Sequence, residues 1–213
     1  MDTKPKPTIT PLANGPYRVE GTVRLRNERG DVPPPAKPRI ALCRCGGSQN
    51  KPYCDGTHAR NGFSDAKQAD RTADRRESYA GQGIVVHDNR SLCAHAGRCT
   101  DGLASVFRYR QEPWIDAGAA NRDQITETVR NCPSGALSCS VDGVPVPDPE
   151  REPEILVSKN GPYVVVGGPH LAGVEFGEGA SREHFTLCRC GASKNKPFCD
   201  GSHWSIQFTD EQN

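Results

Sequence analysis

The chain has 213 residues, with 27 Lys and Arg against 26 Asp and Glu; a net charge of +1 gives no electrostatic reason to expect a nucleic-acid or membrane-surface partner. Hydrophobic residues make up 34%. With glycine included the apolar fraction is about 44%, at the low edge of the globular range, so a thin core with a second source of stability is expected. No apolar run approaches the roughly 18 residues of a membrane span, and residues 1–10 are polar and Pro-containing, unlike a signal peptide. The expectation is a soluble cytoplasmic protein.

In chain order, residues 8–65 open with the turn Asn14-Gly15-Pro16-Tyr17, after which Tyr17, Val19, Val23 and Leu25 alternate with polar residues, the period of a half-exposed strand. A Pro-rich excursion at residues 33–38 precedes a short strand that runs into Cys43. The charged stretch 65–78 reads as a solvated linker. Next comes a unit over residues 81–146, with a strand at 84–87, a Cys-bearing loop, and an amphipathic helix at 123–131 that ends at Cys132-Pro133. After a second linker the opening returns: Asn160-Gly161-Pro162-Tyr163, an apolar strand 163–166, a Gly-rich excursion 167–179, and a strand into Cys188. Residues 43–58 and 188–203 agree at 12 of 16 positions, so the outer units are homologous modules. The domain boundaries expected are 1–65, a linker 66–80, 81–146, a linker 147–153, and 154–213.

The ten Cys cluster as three, four and three. In a reducing compartment such clusters are metal ligands more often than disulfides. Each outer module carries C-x-C-x8-C-x3-H: Cys43, Cys45, Cys54 and His58 in the first, Cys188, Cys190, Cys199 and His203 in the second. Residues i and i+2 of an extended segment share one side, and residues i and i+4 of a helical turn share one face. Two such pairs facing one another suit a two-iron, two-sulfide core. A structural zinc site uses the same ligand types and stands as the alternative, although C-x-C is tight for two ligands on one tetrahedral ion. Asp55 and Asp200 sit where they can cap the turn's free N–H groups, and Gly56 and Gly201 would let backbone approach the metal. Arg44 and Arg189, between paired Cys, read as offsetting cluster charge or as solvated.

At these residues the string Cys-Arg-Cys-Gly-x-Ser-x-Asn-Lys-Pro-x-Cys-Asp-Gly-Ser/Thr-His resembles the CDGSH iron–sulfur domain family, with Thr57 in the Ser slot of the first copy. The resemblance implies a [2Fe–2S] cluster held by three Cys and one His in each module. It also implies that the family's symmetric pair, elsewhere a homodimer, forms here within one chain, so that a monomer suffices. The family's membrane anchor has no counterpart in the sequence.

In the middle group, Cys93 and Cys99 keep the outer spacing of a ferredoxin run, Ala96 occupies the slot of the middle ligand, and Cys132-Pro133 supplies the distant Cys-Pro. Three Cys and an Ala fit a [3Fe–4S] cluster, or a [4Fe–4S] cluster with one unusually held iron. The stretch resembles the divergent 4Fe–4S mono-cluster domains, which are small and ferredoxin-like. Cys139 reads as a buried structural thiol, His95 as an exposed loop residue beside the empty slot, and Trp114 and Trp204 as packing residues. The fold class expected is α+β: two β-rich modules paired as an intramolecular pseudo-dimer, plus a small ferredoxin-like domain.

No dinucleotide fingerprint, phosphate loop or catalytic triad accompanies the cysteines. The expectation is therefore a non-enzymatic carrier of single electrons with two [2Fe–2S] clusters and one cuboidal cluster, serving an unidentified redox protein. A cluster carrier delivering to an apo iron–sulfur acceptor, a redox or pH sensor, and a structural zinc protein are the rival readings.

Overall fold

The computed structural model describes residues 5–35, 39–211 and 213; residues 1–4 of the polar start, 36–38 of the Pro-rich excursion, and 212 lie outside the described residues. The first module contributes β1 (Thr8–Pro11), β2 (Tyr17–Glu20), β3 (Arg24–Asn27), β4 (Gly30–Asp31) and β5 (Ile40–Leu42). The central unit contains β6 (Arg76–Ala80), β7 (Ile84–Asn89), α1 (Arg98–Gly102), α2 (Arg122–Arg130), β8 (Leu137–Val141) and β9 (Val144–Pro145). The second module adds β10 (Glu154–Val157), β11 (Tyr163–Val166), β12 (His170–Leu171), β13 (Phe185–Leu187) and α3 (Ser202–Ser205). The fold is α+β, made of small sheets with few helices. Among the described residues no helix is long and apolar enough to cross a membrane.

The alternation from Tyr17 to Leu25 does not form one strand. It breaks after Glu20, where Gly21 adopts φ +91° against Pro7, a conformation that L side chains rarely take. The two halves then enter different sheets. β2 lies in the order β12-β1-β2-β5, while β3 lies in β13-β11-β10-β3-β4. The pairing is reciprocal: β1 of the first module runs parallel to β12 of the second, and β10 of the second runs parallel to β3 of the first. Each module thus completes the other's sheet. The third sheet, β6-β7-β8-β9, belongs to the central unit and packs on α2 through Ile125 and Val129.

The centre of the paired modules repeats the exchange with side chains. The Tyr17 hydroxyl donates to the carbonyls of Cys188 (2.9 Å) and Pro197 (3.0 Å), and the Tyr163 hydroxyl to those of Cys43 (2.9 Å) and Pro52 (3.1 Å). Both tyrosines are fully buried and meet edge to face, with ring centroids 6.0 Å apart. Burial pushes both hydroxyls well above the usual tyrosine range, so they remain donors at any physiological pH. Cys45 and Cys190 form a backbone bridge at the point of closest approach. A Cβ on Gly46 would lie 2.5 Å from the carbonyl oxygen of Cys190, and one on Gly191 would lie 2.6 Å from that of Cys45. With φ of +75° and +83° as well, these two positions admit only glycine without a backbone shift.

Replacing Tyr17 or Tyr163 by Phe deletes the donor to two buried carbonyls and is expected to cost about 1–3 kcal/mol in each case. Thermal unfolding of the full chain should show a lowered midpoint for either variant, and a larger loss for Gly46→Ala. Midpoints equal to that of the parent protein would contradict the reciprocal pairing.

Candidate metal centres

β5 and β13 each deliver a Cys-x-Cys segment in extended conformation, so the two thiols of a segment lie on one side. Cys43 and Cys45 Sγ are 3.9 Å apart, and Cys188 and Cys190 Sγ 3.8 Å. The second half of each motif is a tight turn, entered through Gly56 at φ 87° and Gly201 at φ 84°. It brings Cys54 Sγ to 3.4 Å from His58 Nδ1, and Cys199 Sγ to 3.4 Å from His203 Nδ1. The glycines therefore serve the turn itself, and Gly56 N–H also donates to Cys54 Sγ at 3.4 Å.

Asp55 and Asp200 clamp this geometry. Asp55 accepts from the backbone N–H of Gln49 (2.8 Å) and of Thr57 (3.0 Å); Asp200 accepts from those of Lys194 (2.7 Å) and Ser202 (3.0 Å). The Gln49 and Thr57 donors hold the Asp55 carboxyl well below the usual carboxylate range. Burial opposes the same effect at Asp200, yet the Ser202 and Lys194 donors still bring it below that range.

Arg44 and Arg189 are neither solvated nor turned toward the thiols. They are 3% and 1% exposed, and alternation along the strand sends them to the face opposite the Cys pair. Arg44 donates to the Leu12 carbonyl (3.2 Å) and to Asp65 (3.3 Å), and lies 5.2 Å from the Tyr17 ring centroid. Arg189 donates to the carbonyls of Gly161 (2.8 Å) and Ser158 (2.6 Å), pairs with Asp210, and lies 5.8 Å from the Tyr163 ring centroid. These arginines bind each module's opening turn and closing segment to its metal-binding strand.

The surroundings shift several of these thiols toward the protonated form, whereas the contact with Cys188 lowers Cys190. Burial pushes Cys43 up to about 11 and raises Cys54, while in the second module burial drives Cys199 well up. The contact with Cys190, together with burial, drives Cys188 well up. Among the described residues no three His, Cys, Asp or Glu side chains converge as one ion would require. The donors stand in pairs.

In the central unit Cys93, Cys99 and Cys132 line one cavity of about 860 Å³, together with Ala96 and His95. Cys93 follows a turn capped by Asn89, whose side chain accepts from Ser91 N–H. Cys99 lies in α1, entered through Gly97 at φ 76°. Cys132 follows α2, whose start is fixed by a reciprocal cap between Asn121 and Gln124. Burial pushes Cys93 up to about 12 and also raises Cys99. Cys139 sits on β8, buried, with Thr126 Oγ1 3.9 Å away, and is not part of the cavity wall. His95 is exposed, in line with the sequence reading.

Two features escaped the sequence reading. Asp88 in the cavity wall is 3% exposed and pushed up to about 6 by burial, with Arg90 at 3.2 Å opposing the shift. Trp204 does not pack in the core: it is 64% exposed, its ring lies 5.0 Å from that of His203, and its Nε1–H donates to the His95 carbonyl at 3.2 Å. The signal was available in the repeat, because the matching position of the first copy is Ala59. Trp114 does pack, against Phe107 and Tyr79, with the Arg90 guanidinium 3.9 Å over its ring.

Comparison with known proteins agrees with this layout. A family model described as iron-binding zinc finger, CDGSH type, matches residues 14–59 and again 160–204; one described as divergent 4Fe–4S mono-cluster matches residues 79–142. The uncharacterized protein YjdI of Escherichia coli strain K12 is 34% identical over 59 residues, which are 28% of this chain and 78% of that protein, and YjdI of strain O157:H7 matches to the same extent. No solved structure matches the chain. With two modules of one kind flanking one of the other, this chain is an iron–sulfur protein of the CDGSH family, carrying a divergent 4Fe–4S mono-cluster domain between its two CDGSH modules.

Proposed function

We propose that the chain binds a [2Fe–2S] cluster at Cys43, Cys45, Cys54 and His58, and another at Cys188, Cys190, Cys199 and His203. A cuboidal cluster, [3Fe–4S] or [4Fe–4S], sits at Cys93, Cys99 and Cys132. The protein passes single electrons to and from a redox protein, with no catalysis of its own. The observation that carries this reading is the pairing of donors: two thiols at 3.8–3.9 Å, then a thiol and an imidazole nitrogen at 3.4 Å, the same in both modules. Two pairs match two metal atoms better than one tetrahedral zinc. A bound cluster supplies one-electron redox chemistry at iron. The chain's own residues set its conditions. His58 and His203 replace a thiolate with a neutral ligand, which removes negative charge and favours the reduced state. The backbone N–H groups of Gly56 and Ala192, 3.4 and 3.5 Å from Cys54 and Cys190 Sγ, act in the same direction. The two modules complete each other's sheets, so one chain is the functional unit.

A second reading, cluster delivery to an apo acceptor, is favoured by one observation. In the first motif Cys45, Cys54 and His58 are all partly exposed, whereas all four donors of the second are buried.

Anaerobically purified protein should contain iron and acid-labile sulfide in cluster ratio and show reversible one-electron reduction by electron paramagnetic resonance. Colourless protein with stoichiometric zinc would overturn the reading, and oxidation-dependent loss of one cluster to an apo-ferredoxin would favour delivery. Substituting Cys132 by Ala should abolish the central signal, while Cys139→Ala should leave it and the iron content unchanged; the reverse would reassign the ligand.

Loading must also be pH-dependent. At Cys43, Cys54, Cys93, Cys99, Cys188 and Cys199, where the thiol pKa is raised, a proton occupies the sulfur in the metal-free protein and leaves when metal binds. Affinity should therefore rise with pH, by up to about tenfold per unit for each proton released, and fall on acidification. Visible absorption followed from pH 8 to 5 should bleach progressively; a flat profile would contradict the assignment.

A further inference from the structure

The two CDGSH motifs are chemically equal, yet their surroundings differ. Around Gly56 of the first motif a Cβ would meet open space; around Gly201 it would meet the His95 ring at 2.6 Å. Asn50 of the first is exposed, whereas Asn195 of the second is buried and donates to the Ser91 carbonyl of the central unit at 2.8 Å. The residue after the ligand histidine is Ala59 in one and Trp204 in the other.

Trp204 and His95 join the second motif to the central cysteines. Trp204 lies alongside His203, and its indole N–H reaches the His95 carbonyl. His95, held at φ 52°, turns its own N–H to Cys93 Sγ at 3.4 Å. A single residue thus bears a hydrogen bond to a cysteine of one site and another to the neighbour of a ligand of the next. On its other side the second motif touches the first through the Cys45–Cys190 backbone bridge.

We infer that the three sites work in a fixed linear order, central cysteines, second motif, first motif, with Trp204 and His95 as the link between the first two and the Cys45–Cys190 pair as the link between the last two. This rests on the electron-carrier reading. In each step one electron leaves the reduced site and enters the oxidised one; no bond forms or breaks. The first motif, with Cys45, Cys54 and His58 partly exposed, is one end of this order and the central cysteines are the other.

The test uses the full holoprotein and the magnetic interaction between sites. With the CDGSH sites reduced, the central signal should be broadened and its relaxation hastened. Removing the second site by Cys199→Ala should relieve that effect, and removing the first by Cys54→Ala should leave it. Relief by Cys54→Ala alone would overturn the order. Trp204→Ala and Trp204→Phe then address the link, with iron and sulfide content measured in each. Both should slow internal electron equilibration after flash reduction, since Phe restores the ring but not the N–H. A rate fully restored by Phe would reduce Trp204 to a packing role and overturn the link. Protein with no reducible site would overturn the carrier reading itself, whereas reducible sites with the wrong coupling would overturn only the order.

Discussion

The rest of the structure depends on one close approach, the backbone contact between Cys45 and Cys190. Gly46 and Gly191 let the two ligand-bearing strands come within van der Waals distance of each other's carbonyls. Tyr17 and Tyr163 then close the contact from both sides by donating to carbonyls in the opposite module. Strand exchange makes the arrangement obligatory, because β3 leaves its own module at Gly21 and pairs with β10. A self-complementary contact of this kind normally joins two copies of a chain. Here duplication places both halves in one polypeptide, and each half becomes free to differ.

That freedom has been used. The first motif keeps Ala59 and an open Gly56, while the second carries Trp204 and is covered by the loop that holds Cys93. The small apolar fraction of the sequence fits a fold whose centres are organised around cysteines as much as around a core. The buried ion pair of Arg189 with Asp210, repeated more openly by Arg44 with Asp65, anchors each metal-binding strand from behind.

Local features were legible in the sequence because local chemistry determines them. The C-x-C and C-x3-H spacings indicate which donor atoms stand in pairs, the Asp after each third Cys indicates the clamp, and α2 falls within a residue of its expected limits. Features that depend on distant partners were not. The alternation through Tyr17 and Leu25 tells which face is buried but not which sheet is joined, so the break at Gly21 was missed. Arg44 and Arg189 read as solvated or cluster-facing because Asp65 and Asp210 lie 21 residues further on. Trp204 reads only as a packing residue because its hydrogen-bond partner His95 stands 109 residues away in another unit.

Two proposals meet in one arrangement of metal: paired iron atoms in both duplicated motifs, with the second motif between the first and the central cysteines. Diffraction from crystals of the holoprotein, recorded on either side of the iron absorption edge, tests it most directly. The account predicts two irons at each CDGSH motif, a compact iron group among Cys93, Cys99 and Cys132, and a shorter distance from that group to the second pair than to the first. A single zinc ion at either motif, or a central group closer to the first motif, would contradict it.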